Sequence, residues 1–473
     1  MKLIAIGAVL GALTVAPTAS ADAPGWGACQ GDDRPQDLRC SSVEVPVNWA
    51  EPDGRKITIR MARLPATGGE RRGTVFSIPG GPGGSGIDDL TSYRSSFGKL
   101  REHFDVVSLE PRNATTYGRL PRKCFATGPL LTRPDTRGEY ATQAAGIRRA
   151  AQECRKLDPE FFDHLDSASV ARDIDAIRAA LGEERLSFIA TSYGGVPGVA
   201  YARLFPHRVR AMYLDGAVNQ LRDAMTEART RYRTYEAQFG RFLKWCDSAG
   251  DVCGDDLGAR WRRLVAAADV KPLPVKGDPA TYSGFDLQVA AMPHLVSPGP
   301  GNARWKELAQ AVRQAEGGDA TGFATYVQAG IGTPKPPSFI GMNATQCADG
   351  LRYRDYRDYR AVRALGERLS PNLHGMGLWH RLGCSGWPAP AANPPRPLPA
   401  GLPPFLGAGT WTDHADTADL VRRVPGSATV RFDGHGHGLY LTGDACTIGH
   451  ADAYLTDLRL PAPGTTCRPT TAS

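Results

Sequence analysis

Three kinds of side chain in this sequence could combine into acyl-transfer chemistry: a lone serine between small residues, two histidines in a glycine loop, and an aspartate closing an apolar run. Serine is a poor nucleophile until a base takes its proton, and histidine is the base whose ordinary pKa suits that work near neutrality. The serine is Ser192, within Ala190-Thr191-Ser192-Tyr193-Gly194-Gly195. It follows the apolar run 186–190 and precedes Val199-Ala200-Tyr201-Ala202-Arg203, so it reads as a strand, a tight turn and the start of a helix. At such a corner the hydroxyl stands up from the sheet, and small residues two before and two after let strand and helix pass closely. The pattern alone is weak, because with 54 glycines in 473 residues it should arise about once by chance.

An acid and a base follow the serine in the order Ser, Asp, His. Residues 405–412 read as a strand delivering Asp413, with Asp416 as a rival acid. A second strand, 428–432, leads into Asp433-Gly434-His435-Gly436-His437-Gly438 and offers two bases, His435 and His437. The bland role of a histidine in such a loop is that of an exposed turn residue.

These groups need a scaffold, and the flanking sequence describes one. Ser167-Ala168-Ser169 opens a run with Val170, Ile174, Ile177 and Leu181 at helical spacing, closed by Gly182, just before the serine strand. Helix, strand, turn and helix in that order indicate an α/β sheet. Earlier, 41–46 and 57–64 read as antiparallel strands around the turn Glu51-Pro52-Asp53-Gly54. The buried strand 74–78 runs into Pro79-Gly80-Gly81-Pro82-Gly83-Gly84-Ser85-Gly86, a loop with much backbone N–H to present to an anion or a developing oxyanion. A flexible linker is the competing reading, lowered by the two prolines; a phosphate loop would need a lysine that is missing. The strand 104–109 ends at Glu110-Pro111-Arg112, where Arg112 is expected to pair structurally with an acid near the sheet edge.

The composition excludes several classes. A chain 41% hydrophobic can bury a large core, and its net charge of +7 comes from scattered arginines without the basic run of a nucleic-acid binder. No cofactor motif appears: there is no Walker loop, no G-x-G-x-x-G after a strand and no H-E-x-x-H, so neither metal nor organic cofactor is expected. Lys2, the apolar stretch 3–15 and Ala19-Ser20-Ala21 ahead of Asp22 read as a secretory signal peptide over 1–21, implying an extracellular protein. That stretch is too short for a membrane anchor, and no later segment is long and apolar enough to span a bilayer. Ten cysteines without a C-x-x-C pair suggest disulfides, and proximity suggests Cys29–Cys40, Cys124–Cys154, Cys246–Cys253, Cys347–Cys384 and Cys446–Cys467. From 219 the texture changes: long charged helical stretches at 227–246 and 257–268, broken by Pro- and Gly-rich joints at 296–301 and 333–338, suggest a helical cap. The proline-rich run 388–404 reads as its extended return. The expected division is therefore 22–218 and 399–473 for the α/β domain, with a cap over 219–398 inserted between them.

The glycine loop at 79–86, the strand with Pro111-Arg112, the Ser-Tyr-Gly-Gly corner at 192–195 and Tyr213-Leu214-Asp215-Gly216 resemble the secreted tripeptidyl aminopeptidase group of α/β-hydrolases, relatives of the proline iminopeptidases. The likeness continues through Cys347-Ala348-Asp349-Gly350, Cys384-Ser385-Gly386-Trp387-Pro388 and the tail 453–467, and covers nearly the whole mature chain. It departs at Ala190, where the corner usually has glycine, at 113–118, usually a short glycine-rich turn, and at Asp413, which lacks the usual Asp-Pro-x-Thr-Pro continuation.

The resemblance implies an α/β-hydrolase fold with a mostly parallel central sheet and a helical cap. It also selects among the candidates: Ser192 as nucleophile, His437 as base in the Gly-His-Gly position with His435 behind it, and Asp413 as acid with Asp416 as rival. The backbone N–H groups of Gly81 and Tyr193 would receive the oxyanion. It further implies an exopeptidase that holds the substrate ammonium with a cap carboxylate, for which Asp349 is the candidate. An esterase or amidase on small acyl compounds would need no such carboxylate, and an inactive binding protein is a third reading. The expected partner is a peptide or small acyl substrate; no oligomeric state is indicated.

Overall fold

In the computed structural model of the chain, residues 24–31, 33–114, 120–121, 124, 131–324 and 340–469 are described. The expected leader, most of the 113–118 loop and the 333–338 joint lie outside them. The strands are β1 (Gly27–Ala28), β2 (Arg39–Pro46), β3 (Lys56–Leu64), β4 (Thr74–Ile78), β5 (Asp105–Leu109), β6 (Leu186–Thr191), β7 (Val209–Asp215), β8 (Leu273–Val275), β9 (Asp278–Tyr282), β10 (Leu406–Gly409), β11 (Ala428–Phe432) and β12 (Thr466–Cys467). Ten of them form one sheet in the order β1-β2-β3-β5-β4-β6-β7-β10-β11-β12.

The chain's patterning explains which strands lie where. In β4, β5 and β6 every residue is buried, as a parallel strand covered on both faces requires. β3 alternates exposed and buried positions instead, and it pairs antiparallel with both β2 and β5 near the sheet's edge. From β5 onward all pairings are parallel. Successive side chains then serve opposite layers. Phe76, Phe188 and Leu214 face a core shared with the helices Ser167–Ala180 and Gly195–Leu204 through Ile174, Ile177 and Val199. Val75, Ile189 and Tyr213 face the other, closed by Ile87 and Leu90 of helix Gly86–Ser92 and by Tyr454 and Leu455 of helix Ala445–Asp457. Truncating a ring as buried as Phe188 to alanine typically costs about 3–5 kcal/mol.

Arg112 takes the structural role expected of it. Its guanidinium grips Asp173 of helix Ser167–Ala180 with two hydrogen bonds, 2.7 Å from Nε and 2.6 Å from Nη2, and both side chains are fully buried. It also donates to the carbonyls of Pro46 and Val47, so the antiparallel edge, the loop after β5 and the helix share one fixed point. Losing one partner of a buried pair costs about 3–5 kcal/mol, because the other charge is left unpaired.

Between β7 and β10 the chain is mainly helical, with helices Ala224–Ser248, Leu257–Val270, Gly284–Val296, Ala303–Glu316, Ile340–Ala348 and Tyr356–Leu369 and the hairpin β8-β9. Phe239, Phe242, Trp261 and Trp305 build an apolar cluster there, separate from the sheet's two cores. The later part returns to the sheet: Trp387 stacks on Phe162 with ring centroids 5.6 Å apart. All five cysteine pairs formed by proximity are disulfides. Among the described residues no helix is long and apolar enough to cross a membrane.

Candidate active site

Parallel strands all end on the same edge of a sheet, so the loops that follow them converge. Thr191 at the end of β6 is level with Asp215 at the end of β7, which is level with Ala408 near the end of β10. That register brings together Ser192 after β6, Gly216 after β7, Asp413 beyond β10 and His437 beyond β11, with Gly81 arriving from β4.

Ser192 sits at φ 57°, in the left-handed region that non-glycine residues rarely adopt. The surroundings hold it there: its carbonyl accepts from Val218 N at 3.0 Å, and helix Gly195–Leu204 begins three residues later. Only glycine fits at Gly194, where a Cβ would lie 2.5 Å from the Ile78 carbonyl oxygen. The fully buried Ala190 is accommodated because the facing helix supplies the missing space; a Cβ on Gly198 would come within 3.3 Å of the Ala190 methyl.

Asp413 and His437 form a hydrogen-bonded pair, Nδ1 to Oδ2, at 2.6 Å. The carboxylate partner implies that Nδ1 carries the proton and leaves Nε2 as the acceptor. The other oxygen of Asp413 accepts from Thr410 N at 2.7 Å and from Thr410 Oγ1 at 3.2 Å, so the acid is fixed at both ends. Gly216, at φ 56°, lies directly behind the pair. The hydrogen bond to Asp413 raises the His437 pKa above its ordinary 6.5, aided by the negative charges of Asp413 and Asp215. Asp215 is itself pushed up, by burial first and then by the charge of Asp413, while its Oδ2 accepts from Tyr440 N at 2.7 Å and ties down the loop that follows His437.

Ser192, Asp413 and His437 line one cavity of about 210 Å³, together with Gly81 and Tyr193. Charged groups line it as well: Glu227 and Arg231 of helix Ala224–Ser248 and Asp416 of helix His414–Val421. Glu227 accepts from Arg231 Nε at 2.8 Å and from Arg381 Nε at 2.7 Å, and Asp416 accepts from Arg222 Nη1. Glu227 and Arg231 belong to no motif that marks them in the sequence as cavity residues. Their i, i+4 spacing was the available signal, but it is equally that of a solvated helix face.

The two remaining candidates stand elsewhere. His435 lies edge-on between Trp305 and Trp411, with ring centroids 5.2 Å and 4.9 Å away, and burial lowers its pKa to about 4, keeping it neutral. Asp349 does not line the cavity. It is fully buried and accepts from Ser167 N at 2.9 Å, Ser167 Oγ at 2.6 Å, Tyr193 Oη at 2.7 Å and Asn393 Nδ2 at 2.8 Å, which leaves it no approach to a substrate ammonium. Burial, and then the charge of Asp166, pushes its pKa up to about 7.

A nucleophile, a base held by a carboxylate, and backbone N–H groups beside them can together perform acyl transfer to water. Comparison with known proteins agrees with that chemistry. Residues 73–251 match the family described as alpha/beta hydrolase fold, and 372–467 match one described as TAP-like protein. The chain is 28% identical to a tripeptidyl aminopeptidase of Streptomyces lividans, over 97% of this chain and 89% of that one. It is 28% identical to the serine protease Hip1 of Mycobacterium tuberculosis, over 90% and 87%. It is also 29% identical to a carboxylesterase B of the same organism, over 97% and 92%.

Proposed function

Because this chain belongs to the α/β-hydrolase-fold proteins, ends in a TAP-like segment and is a serine hydrolase, we propose that it is a secreted exopeptidase cleaving near free N-termini. The observation that carries the reading is one cavity lined both by Ser192 and the Asp413–His437 pair and by two further carboxylates, Glu227 and Asp416. His437 Nε2 takes the proton of Ser192 Oγ as that oxygen attacks the scissile carbonyl, and Asp413 holds the imidazole and stabilises its cation. The amides of Gly81 and Tyr193 donate to the oxyanion, a contribution of about 3–4 kcal/mol for each donor in comparable sites. Collapse of the tetrahedral intermediate breaks the C–N bond, and the proton on His437 passes to the leaving amine. Water then attacks the acyl-enzyme with His437 again as base, returning Ser192 to its hydroxyl form.

The helical segment 219–398 acts in this reading as a cap that closes one end of the cleft and limits how much peptide enters. The substrate ammonium faces Glu227 and Asp416, in place of Asp349. Export is supported by the leader-like first 21 residues and by the five disulfides, which persist in oxidising compartments.

One observation favours an esterase or amidase acting on small acyl groups: Glu227 and Asp416 already carry arginine partners, and Arg231 lines the same cavity. A panel of free-amino peptide anilides, their N-acetylated forms and nitrophenyl esters separates the two. Acetylation should lower kcat/KM at least about 30-fold, near 2 kcal/mol, if the amine is held by buried carboxylates. Equal turnover of free and acetylated peptides, or of esters alone, selects the esterase.

A further inference from the structure

Asp349 is a buried acid that the mechanism above leaves without a role. It follows Cys347 by two residues, and the Cys347–Cys384 disulfide anchors that segment. Its own carbonyl, with that of Asn393, receives the side-chain amide of Gln220 at 2.5 Å and 2.6 Å, so its backbone is pinned from a third direction. Its carboxylate reaches two places that matter to the site. One is Ser167, the first residue of helix Ser167–Ala180, whose N–H and hydroxyl both donate to it. The other is the hydroxyl of Tyr193, the residue that immediately follows Ser192.

Tyr193 is nearly fully buried, and its ring packs with Val196 and Leu351 along the wall of the substrate cavity. The peptide that carries its N–H is the one joining it to Ser192, which is already held in a left-handed conformation. A ring tethered at its hydroxyl cannot rotate about the chain without breaking the tether, so the direction of that N–H is coupled to the Asp349 carboxylate. An N–H that must meet an oxyanion gains most of its value from being held in place before the charge develops.

From this geometry we infer that Asp349 is a positioning residue, which aims the Tyr193 amide at the oxyanion by holding the Tyr193 hydroxyl. The inference rests on the reading of Ser192 as nucleophile and deepens it. Because the tether acts on a group that contacts the transition state, its loss falls on kcat, with KM little changed. An amide at 349 preserves the tether, since the hydroxyls of Tyr193 and Ser167 can turn to accept from it.

The test compares Tyr193→Phe, Asp349→Ala, Asp349→Asn and the double variant Tyr193→Phe/Asp349→Ala on the substrate turned over best, with Ser192→Ala alongside. Tyr193→Phe removes one hydroxyl from an otherwise unchanged ring, so it remains informative if Asp349→Ala fails to fold. Tyr193→Phe and Asp349→Ala should each lower kcat about 10- to 100-fold, less than outright removal of an oxyanion donor, with KM within about threefold. Asp349→Asn should stay within about threefold of the parent, and the double variant should be no slower than Asp349→Ala, because both break one tether. A folded Tyr193→Phe with unchanged kcat overturns the inference, as does a loss confined to KM or one that adds in the double variant. Activity surviving in Ser192→Ala would instead overturn the nucleophile assignment itself.

Discussion

Replacing Gly216 by alanine should lower kcat roughly a hundredfold without touching any reacting atom. Gly216 ends β7's excursion toward the site at φ 56°, and a Cβ there would lie 2.7 Å from Asp413 Oδ2 and 3.0 Å from His437 Nδ1. Those two atoms are the ends of the 2.6 Å hydrogen bond that holds the imidazole. Ordinary contact begins at 3.4 Å, so the carboxylate oxygen must retreat by about 0.7 Å. The backbone cannot give way instead, because Gly216 N donates to Ala408 O at 2.9 Å across the β7–β10 pair. A methyl group wedged between acid and base therefore stretches or breaks their bond, and a misplacement near 1 Å in a catalytic constellation costs about 10²-fold. The ceiling is the roughly 10⁴-fold loss expected when the acid can no longer select the tautomer. The left-handed backbone adds a stability cost of about 1–2 kcal/mol. Gly182→Ala isolates that second term, since Gly182 has φ 70° and nothing within 4 Å of its Cβ position. The assay is kcat on a nitrophenyl ester and a free-amino peptide anilide, with thermal unfolding of both variants. If Gly216→Ala turns over within about threefold of the parent and loses only the stability that Gly182→Ala loses, the glycine does not poise the pair and the argument fails.

Three further outcomes follow from the charged groups. Asp413→Asn should lower kcat by about 10³- to 10⁴-fold, while Asp416→Asn should leave kcat within about threefold and raise KM for free-amino peptides, with a stability loss of about 1–3 kcal/mol, since Arg222 keeps Asp419 at 2.8 Å; the reverse ranking in kcat would make Asp416 the acid. Because the base works only when neutral and Asp413 raises the His437 pKa, kcat/KM should climb through a limb lying above pH 6.5, and Asp413→Asn should move that limb downward. The same raised pKa means that the charged His437–Asp413 pair stabilises the fold fully below the unfolded histidine's pKa, and this contribution fades as pH rises through the folded value. Chemical denaturation across pH 5–9 on parent and Asp413→Asn checks the sign, and a parent-specific gain toward high pH would contradict it.

Much of this architecture was legible before any fold was known, because it depends on local rules. The continuous apolar runs at 74–78 and 186–190 mark strands covered on both faces, and small residues around Ser192 mark a close strand-to-helix corner. Nearest-neighbour cysteine pairing also succeeded, since each pair closes a short stretch of chain. What remained open were choices between neighbours in sequence, where local chemistry treats both alike. His435 and His437 share one glycine loop, yet Trp305 and Trp411 enclose the first while Asp413 bonds the second. Asp413 and Asp416 share one turn, yet Arg222, nearly 200 residues earlier in the chain, takes Asp416. The surroundings of Asp349 are hidden in the sequence for the same reason: a carboxylate's task depends on what surrounds it, and its partners Ser167, Tyr193 and Asn393 come from three distant segments. Sequence by itself determined which chemistry the chain could carry and the strands that would carry it. Tertiary structure alone decided which aspartate bonds which histidine, which aspartate meets Arg222 and which carboxylate is enclosed, because burial and ion pairing are set by residues far apart in the chain.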